Sequence, residues 1–188
     1  MTASPRRDHL VETALKLFSR DGYHATGIDK ILAESGVAKM TLYKHFESKD
    51  ALILAALRLR DERFRDWLTG DVERRARAPR ERLLAIFEAL EDWFAEDTFS
   101  GCSFINAAAE FADPDNPIHA AAAEHKALIA AYVRDLAAAA GASDPEELTR
   151  RLELLIEGAI VVAQVSGHKG AADAAGRAAA VLIADAIA

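Results

Sequence analysis

Between Lys39 and Lys49 the sequence reads KMTLYKHFESK. Three lysines, a histidine, a threonine and a tyrosine fall within one short helical pattern. Ammonium groups attract phosphate or reach guanine, Thr and Tyr hydroxyls bond phosphate oxygens, and a Met thioether can touch a thymine methyl. This is the chemistry of a surface lying against duplex DNA, although a charged run is also what an ordinary solvated helix face looks like. Phase sharpens the choice. On a wheel of about 100° per residue, Leu42 and Phe46 fall within about 40° of each other and define a buried side. Met40, Thr41 and Lys44 then face outward, flanked by Lys39 and Tyr43. Lys49 falls at the start of the next helix, where its charge opposes the helix dipole and suits an external anion.

The net charge of −7 argues against a nucleic-acid partner until it is resolved along the chain. The first fifty residues hold eight Lys and Arg against seven Asp and Glu; the rest holds fifteen against 23. The acidity therefore lies outside the candidate surface. The 188 residues are 51% apolar, enough for a buried core and too many for disorder. The single cysteine, Cys102, admits no disulfide within the chain. The opening MTASPRRDHLVETAL lacks the features of a signal peptide, and no run of about 18 apolar residues reads as a membrane span. A soluble, cytoplasmic protein is expected.

The elements that must position the charged run are helices; no strand alternation is sustained. Pro5 opens a first helix with an apolar stripe of Leu10, Ala14, Leu17 and Phe18, ended by Gly22. Thr26, with Asp29 three residues on, forms a variant capping box for a second. Ser35-Gly36-Val37 is a tight turn before a third, over about 38–46. Ser48 caps a long fourth helix predicted to stop near Leu68, before Thr69-Gly70, leaving DVERRARA as a polar connection. Pro79 opens a fifth, to about Glu96. A short sixth covers 103–111, DPDNP is a turn, and a seventh runs over 118–140. Ser143 and Glu146 suggest a capping box for an eighth with a continuous apolar seam, GHKG punctuates, and an alanine-rich ninth covers 171–187. The fold expected is all-α, with about nine helices.

A second and third helix joined by a glycine turn are the layout of a helix-turn-helix. The run GYHATGIDKILAESGVAKMTLYKHFESKDAL, Gly22 to Leu52, resembles the N-terminal module of the TetR family of transcriptional regulators. The resemblance rests on Tyr23, Thr26, Ile28, Ile31, Gly36, Val37, Thr41, Leu42, Tyr43, Phe46, Ser48 and Lys49. The sequence departs from the family pattern at Ala38, where a capping serine is usual, at Gly27 in place of a hydroxyl residue, and at Leu32 in place of alanine. With Thr26 and His45 added, the candidate DNA contacts are Thr26, Lys39, Met40, Thr41, Tyr43, Lys44, His45 and Lys49.

The resemblance implies a DNA-binding module over 1–47 and a ligand-binding and dimerisation domain over 48–188. It also implies a homodimer paired through the last two helices on a near-palindromic operator, and a small-molecule effector, usually one that lowers DNA affinity. Candidates for the effector site are Phe87, Trp93, Phe94, Cys102, Phe104, Phe111, Tyr132 and Gln164, each of which also suits plain core packing. Their makeup suggests an apolar or aromatic ligand. Cys102, near a helix start, could respond to oxidants or electrophiles; a small buried residue is the alternative. His119, Glu124 and His125 lack a metal-ligand spacing and read as surface groups. No G-x-S-x-G, P-loop or dinucleotide fingerprint occurs, so neither an enzyme nor a cofactor is expected. An enzyme, or a protein-binding adaptor without DNA binding, is the alternative class.

Overall fold

The computed structural model describes residues 4–167 and 170–187. Among these, nine helices occur and no strand: α1 (Pro5–Asp21), α2 (Ile28–Ser35), α3 (Lys39–His45), α4 (Lys49–Arg75), α5 (Pro79–Ala95), α6 (Ser103–Glu110), α7 (Pro117–Ala139), α8 (Pro145–Ser166) and α9 (Ala171–Ala186). The predicted GHKG break has its central His168 and Lys169 outside the described residues.

The chain divides into two compact units: the residues up to Arg63 with Ser103–His125, and Phe64–Cys102 with the residues from Lys126 onward. In the first, α1 buries the predicted stripe of Leu10, Ala14, Leu17 and Phe18, together with Val11. Tyr23 stacks on Phe18 with ring centroids 5.3 Å apart, and its hydroxyl donates to the Ser103 carbonyl at 2.9 Å. α2 and α3 pack on α1 through Ile31 and Leu42. Gly36 ends α2 at φ +65°, the left-handed conformation that glycine takes without a steric cost, which turns the chain into α3.

In the second unit, α9 packs on both α5 and α8. The seam of Leu148, Leu152, Ile156, Ala159, Ile160 and Ala163 is buried, against Ala172, Ala175, Ala179 and Ile183 of α9. Small residues permit the close approach: a Cβ at Gly176 would lie 3.1 Å from the Phe87 Cβ. Phe64, Trp67, Trp93, Phe94 and Phe99 form one aromatic cluster, with neighbouring ring centroids 5.0 to 6.3 Å apart.

Three sequence expectations are corrected. α4 runs through Thr69 and Gly70 to Arg75, because Leu68 and Val72 lie on one buried face. Asp144, not Ser143, caps α8, accepting from the Glu147 N–H at 3.0 Å. Gly27, not Thr26, is the N-cap of α2.

Candidate nucleic-acid interface

α3 presents the two sides its sequence dictates. Leu42 and, just past its end, Phe46 are buried, while Lys39, Met40, Tyr43 and Lys44 are exposed. Thr41 and His45 are half-buried at the edges. Ala38 gives α3 no side-chain cap; its carbonyl accepts from Thr41 and Leu42 at 2.8 and 3.2 Å, and the burial of Leu42 pins the first turn. Arg7 of α1 lies over the Phe46 ring, 5.2 Å from its centroid, holding the end of α3 from the inner side.

The outward face is cationic and lightly engaged. Lys39 pairs loosely with Asp29 at 3.6 Å, and Lys44 has no ion pair among the described residues. Asp21, below α2, is already committed: Arg20 and then Lys30 hold its carboxyl down at about 2.

Thr26 is placed differently from expectation. It is fully buried, and its hydroxyl donates backward to Gly22 O at 2.7 Å and to Leu17 O at 3.4 Å. Its hydroxyl therefore fastens the α1–α2 turn rather than reaching a duplex. Lys49 begins α4 as predicted, with Ser48 Oγ accepting from Ala51 N at 3.1 Å as its cap, and Lys49 Nζ donates to the His24 carbonyl at 3.2 Å.

His24 and Glu110 are the residues sequence reasoning missed. The Glu110 carboxylate at the end of α6 accepts from Tyr23 N at 2.8 Å, from His24 N at 2.6 Å, and meets His24 Nδ1 at 2.9 Å. Burial pushes this carboxyl up, but the two peptide N–H groups and the His24 ring outweigh it and hold the group below its usual range. Phe111 stacks on the His24 ring at 4.6 Å and meets Tyr23 edge-on at 6.2 Å. A clasp between positions 86 residues apart leaves no spacing pattern in one sequence; the only local hint is the carboxylate beside an aromatic in EF.

The eight candidate effector residues fall in both units, Phe104 and Phe111 in the first and the other six in the second. Trp93 and Phe94 belong to the aromatic cluster, and Phe87 faces Gly176 of α9. Gln164 lies against Gly101, and the neighbouring Cys102 is buried, with its sulfur 3.5 Å from Lys126 Nζ. That ammonium is held by both Glu157 oxygens at 2.7 Å. Tyr132 has a buried hydroxyl without a hydrogen-bond partner among the described residues, and burial raises its phenol pKa. Phe111 belongs to the His24 clasp, and Phe104 lines a cavity of about 440 Å³ with Leu54, Leu57, Arg58, Asp61 and His125. His125, expected at the surface, is buried: its ring stacks on Phe104 at 3.6 Å and its Nδ1 meets Asp61 at 2.7 Å.

Two family descriptions match the chain. Residues 10–56 match the bacterial regulatory proteins of the tetR family, and residues 79–179 match the tetracyclin repressor-like C-terminal domain. The chain belongs to the TetR family. It is a helix-turn-helix transcriptional regulator, a class that acts by binding rather than by catalysis. Regulators of this family bind DNA operators and small-molecule effectors and form dimers.

Solved structures of TetR-family regulators share the whole architecture. SCO4454, a TetR-family transcriptional regulator from Streptomyces coelicolor, superposes with a TM-score of 0.90 at 31% identity, covering 97% of this chain and 96% of that one. The HTH-type transcriptional regulator YjdC of Escherichia coli (strain K12) is 25% identical over 172 residues, 92% of this chain and 90% of its own length. The HTH-type transcriptional repressor KstR2 of Mycolicibacterium smegmatis is 35% identical over 98 residues, 48% of this chain and 46% of its own length. No described helix of this TetR-family chain is long and apolar enough to cross a membrane.

Proposed function

We propose that this regulator is a cytoplasmic repressor that binds a near-palindromic operator as a homodimer and leaves it when a small molecule binds. The observation that carries the DNA reading is α3, whose Lys39, Met40, Tyr43 and Lys44 are exposed while Leu42 and Phe46 hold it from beneath. In this reading residues 1–47 form the DNA module and residues 48–188 serve effector binding and dimerisation. α3 enters the major groove, and Lys39, Lys44 and Lys49, with the Thr41, Tyr43 and His45 side chains, grip backbone or bases. Two such helices sit about one DNA turn apart, roughly 34 Å. Support for pairing through α8 and α9 comes from their exposed Leu154, Val161, Val162, Val165 and Val181.

For the effector we propose the cavity floored by Phe104, Leu54 and Leu57. Arg58, Asp61, Glu124 and His125 also line it, so an aromatic ligand carrying a polar group fits better than a purely apolar one. Release requires that the ligand prefer a dimer conformation whose α3 spacing no longer matches the operator. α4 carries that change, since it supplies Leu54, Leu57, Arg58 and Asp61 to the cavity and begins with Lys49.

The test is selection of bound sequences from random DNA, followed by gel shift across a salt series. Three lysines per protomer give about six phosphate contacts per dimer, so affinity falls about a thousandfold between 50 and 200 mM salt. Failure to enrich any sequence, or binding indifferent to salt, overturns the proposal.

A further inference from the structure

We infer that Met40 reads a thymine methyl group in each operator half-site and thereby sets part of the sequence preference. The inference rests on the reading that α3 lies in the major groove of an operator.

In the unit containing the helix-turn-helix, Met40 and Tyr43 are the only large hydrophobic side chains exposed among the described residues. Met40 is 86% exposed, more than any other large hydrophobic side chain described in the chain. Three residues apart on one helix, the two share a side. Lys39 and Lys44, both exposed, flank them. An unbranched thioether held this far from its own protein gains nothing from packing within the fold. Against DNA the situation changes. The major-groove edges of the four base pairs present hydrogen-bond donors and acceptors, with one apolar group among them, the C5 methyl of thymine. The lysines and hydroxyls of α3 find partners on phosphates or on any guanine. Met40 finds one only where a thymine stands. Met40 is the second residue of α3, in the half of a recognition helix that contacts base edges. A flexible side chain there can also adapt its rotamer to the methyl.

The test uses the full-length protein and the sequence it selects from random DNA. Each thymine of the half-site is replaced in turn by deoxyuridine, which removes the methyl and keeps base pairing and the O4 acceptor. For the unaltered protein, one position per half-site weakens binding about fourfold, and both half-sites together on the order of tenfold. In Met40→Ala that difference disappears, while Tyr43→Phe retains it. Alanine is a strong helix former and the position is exposed, so the variant folds; its circular dichroism and melting curve match the parent's. Three results overturn the inference: uniform indifference to deoxyuridine, a thymine preference intact in Met40→Ala, or a preference lost in Tyr43→Phe alone. If the protein enriches no sequence at all, the operator reading falls, and this inference with it. Specific binding with an unaltered thymine response removes the Met40 assignment only.

Discussion

At Glu110 one carboxylate closes onto two consecutive peptide N–H groups, those of Tyr23 and His24, and onto the His24 ring. Lys49 grips the following peptide through the His24 carbonyl. The turn before α2 is thus fixed by side chains from α6 and α4. A charged acceptor in such bonds contributes roughly 1.5–3 kcal/mol, so Glu110→Ala lowers unfolding stability by that order, read from denaturant midpoints at constant m. The pH dependence has a definite sign. The folded carboxyl titrates below its unfolded value of about 4.3. Its contribution is present above that value and lost as pH falls through the lower folded one. The parent and the variant therefore converge in acid; a gap persisting there would sink the assignment. Lys44 gives a second test. It has no ion pair to break among the described residues, so Lys44→Ala leaves stability within about 0.5 kcal/mol. In the dimer it lowers the slope of log affinity against log salt by roughly 1.8. An unchanged slope would place Lys44 off the backbone.

Helix ends show where the sequence was legible and where it was not. The stripe of α1, the inward Leu42 and Phe46, and the Ser48 cap followed from local spacing, and the structure has all three. The Asp144 cap was legible but misread: Pro145 has no N–H and suits the first helical position, which makes its predecessor the cap. Thr26 was not legible, since its hydroxyl turns back toward Gly22 and Leu17 rather than forward along α2. α4 is a tertiary override. Glycine inside a helix costs about 1 kcal/mol, whereas burying Val72 two residues later returns roughly 1.5–3 kcal/mol. Gly70 is thus a penalty that the fold carries rather than a hinge it requires. A Cβ there would meet Arg74 Nη1 at 3.6 Å, an ordinary contact. Gly70→Ala is expected to stabilise the protein by about 0.5–1 kcal/mol, read as a raised denaturant midpoint. A destabilised variant would mean that the helix bends at this residue. The clasped Glu110 and the cavity depend on long-range packing, and a single sequence gives no phase for that.

For the whole molecule, the exposed apolar side chains mark the surface that a single chain leaves uncovered. Leu154, Val161 and Val165 recur at helical spacing along α8, with Gly158 between them, and Val162 beside them. Leu154 is 76% exposed and Val165 80%, so neither contributes to the fold of its own chain. Gly158 has nothing within 4 Å of where a Cβ would stand, room that a second helix can occupy. In a twofold dimer each position occurs twice, so Val165→Glu would bury two like charges against one apolar surface. The variant is expected to be monomeric at micromolar concentration by sedimentation, with helicity retained and an unfolding midpoint lowered only by the lost linkage to dimerisation. Each protomer would still carry an intact α3, but the two half-sites would no longer be bound together. That linkage is worth about 10²–10⁴ in affinity, and operator binding falls accordingly, while Val165→Leu keeps both the dimer and the binding. A glutamate variant that remains dimeric and holds the operator would move the dimer surface away from α8.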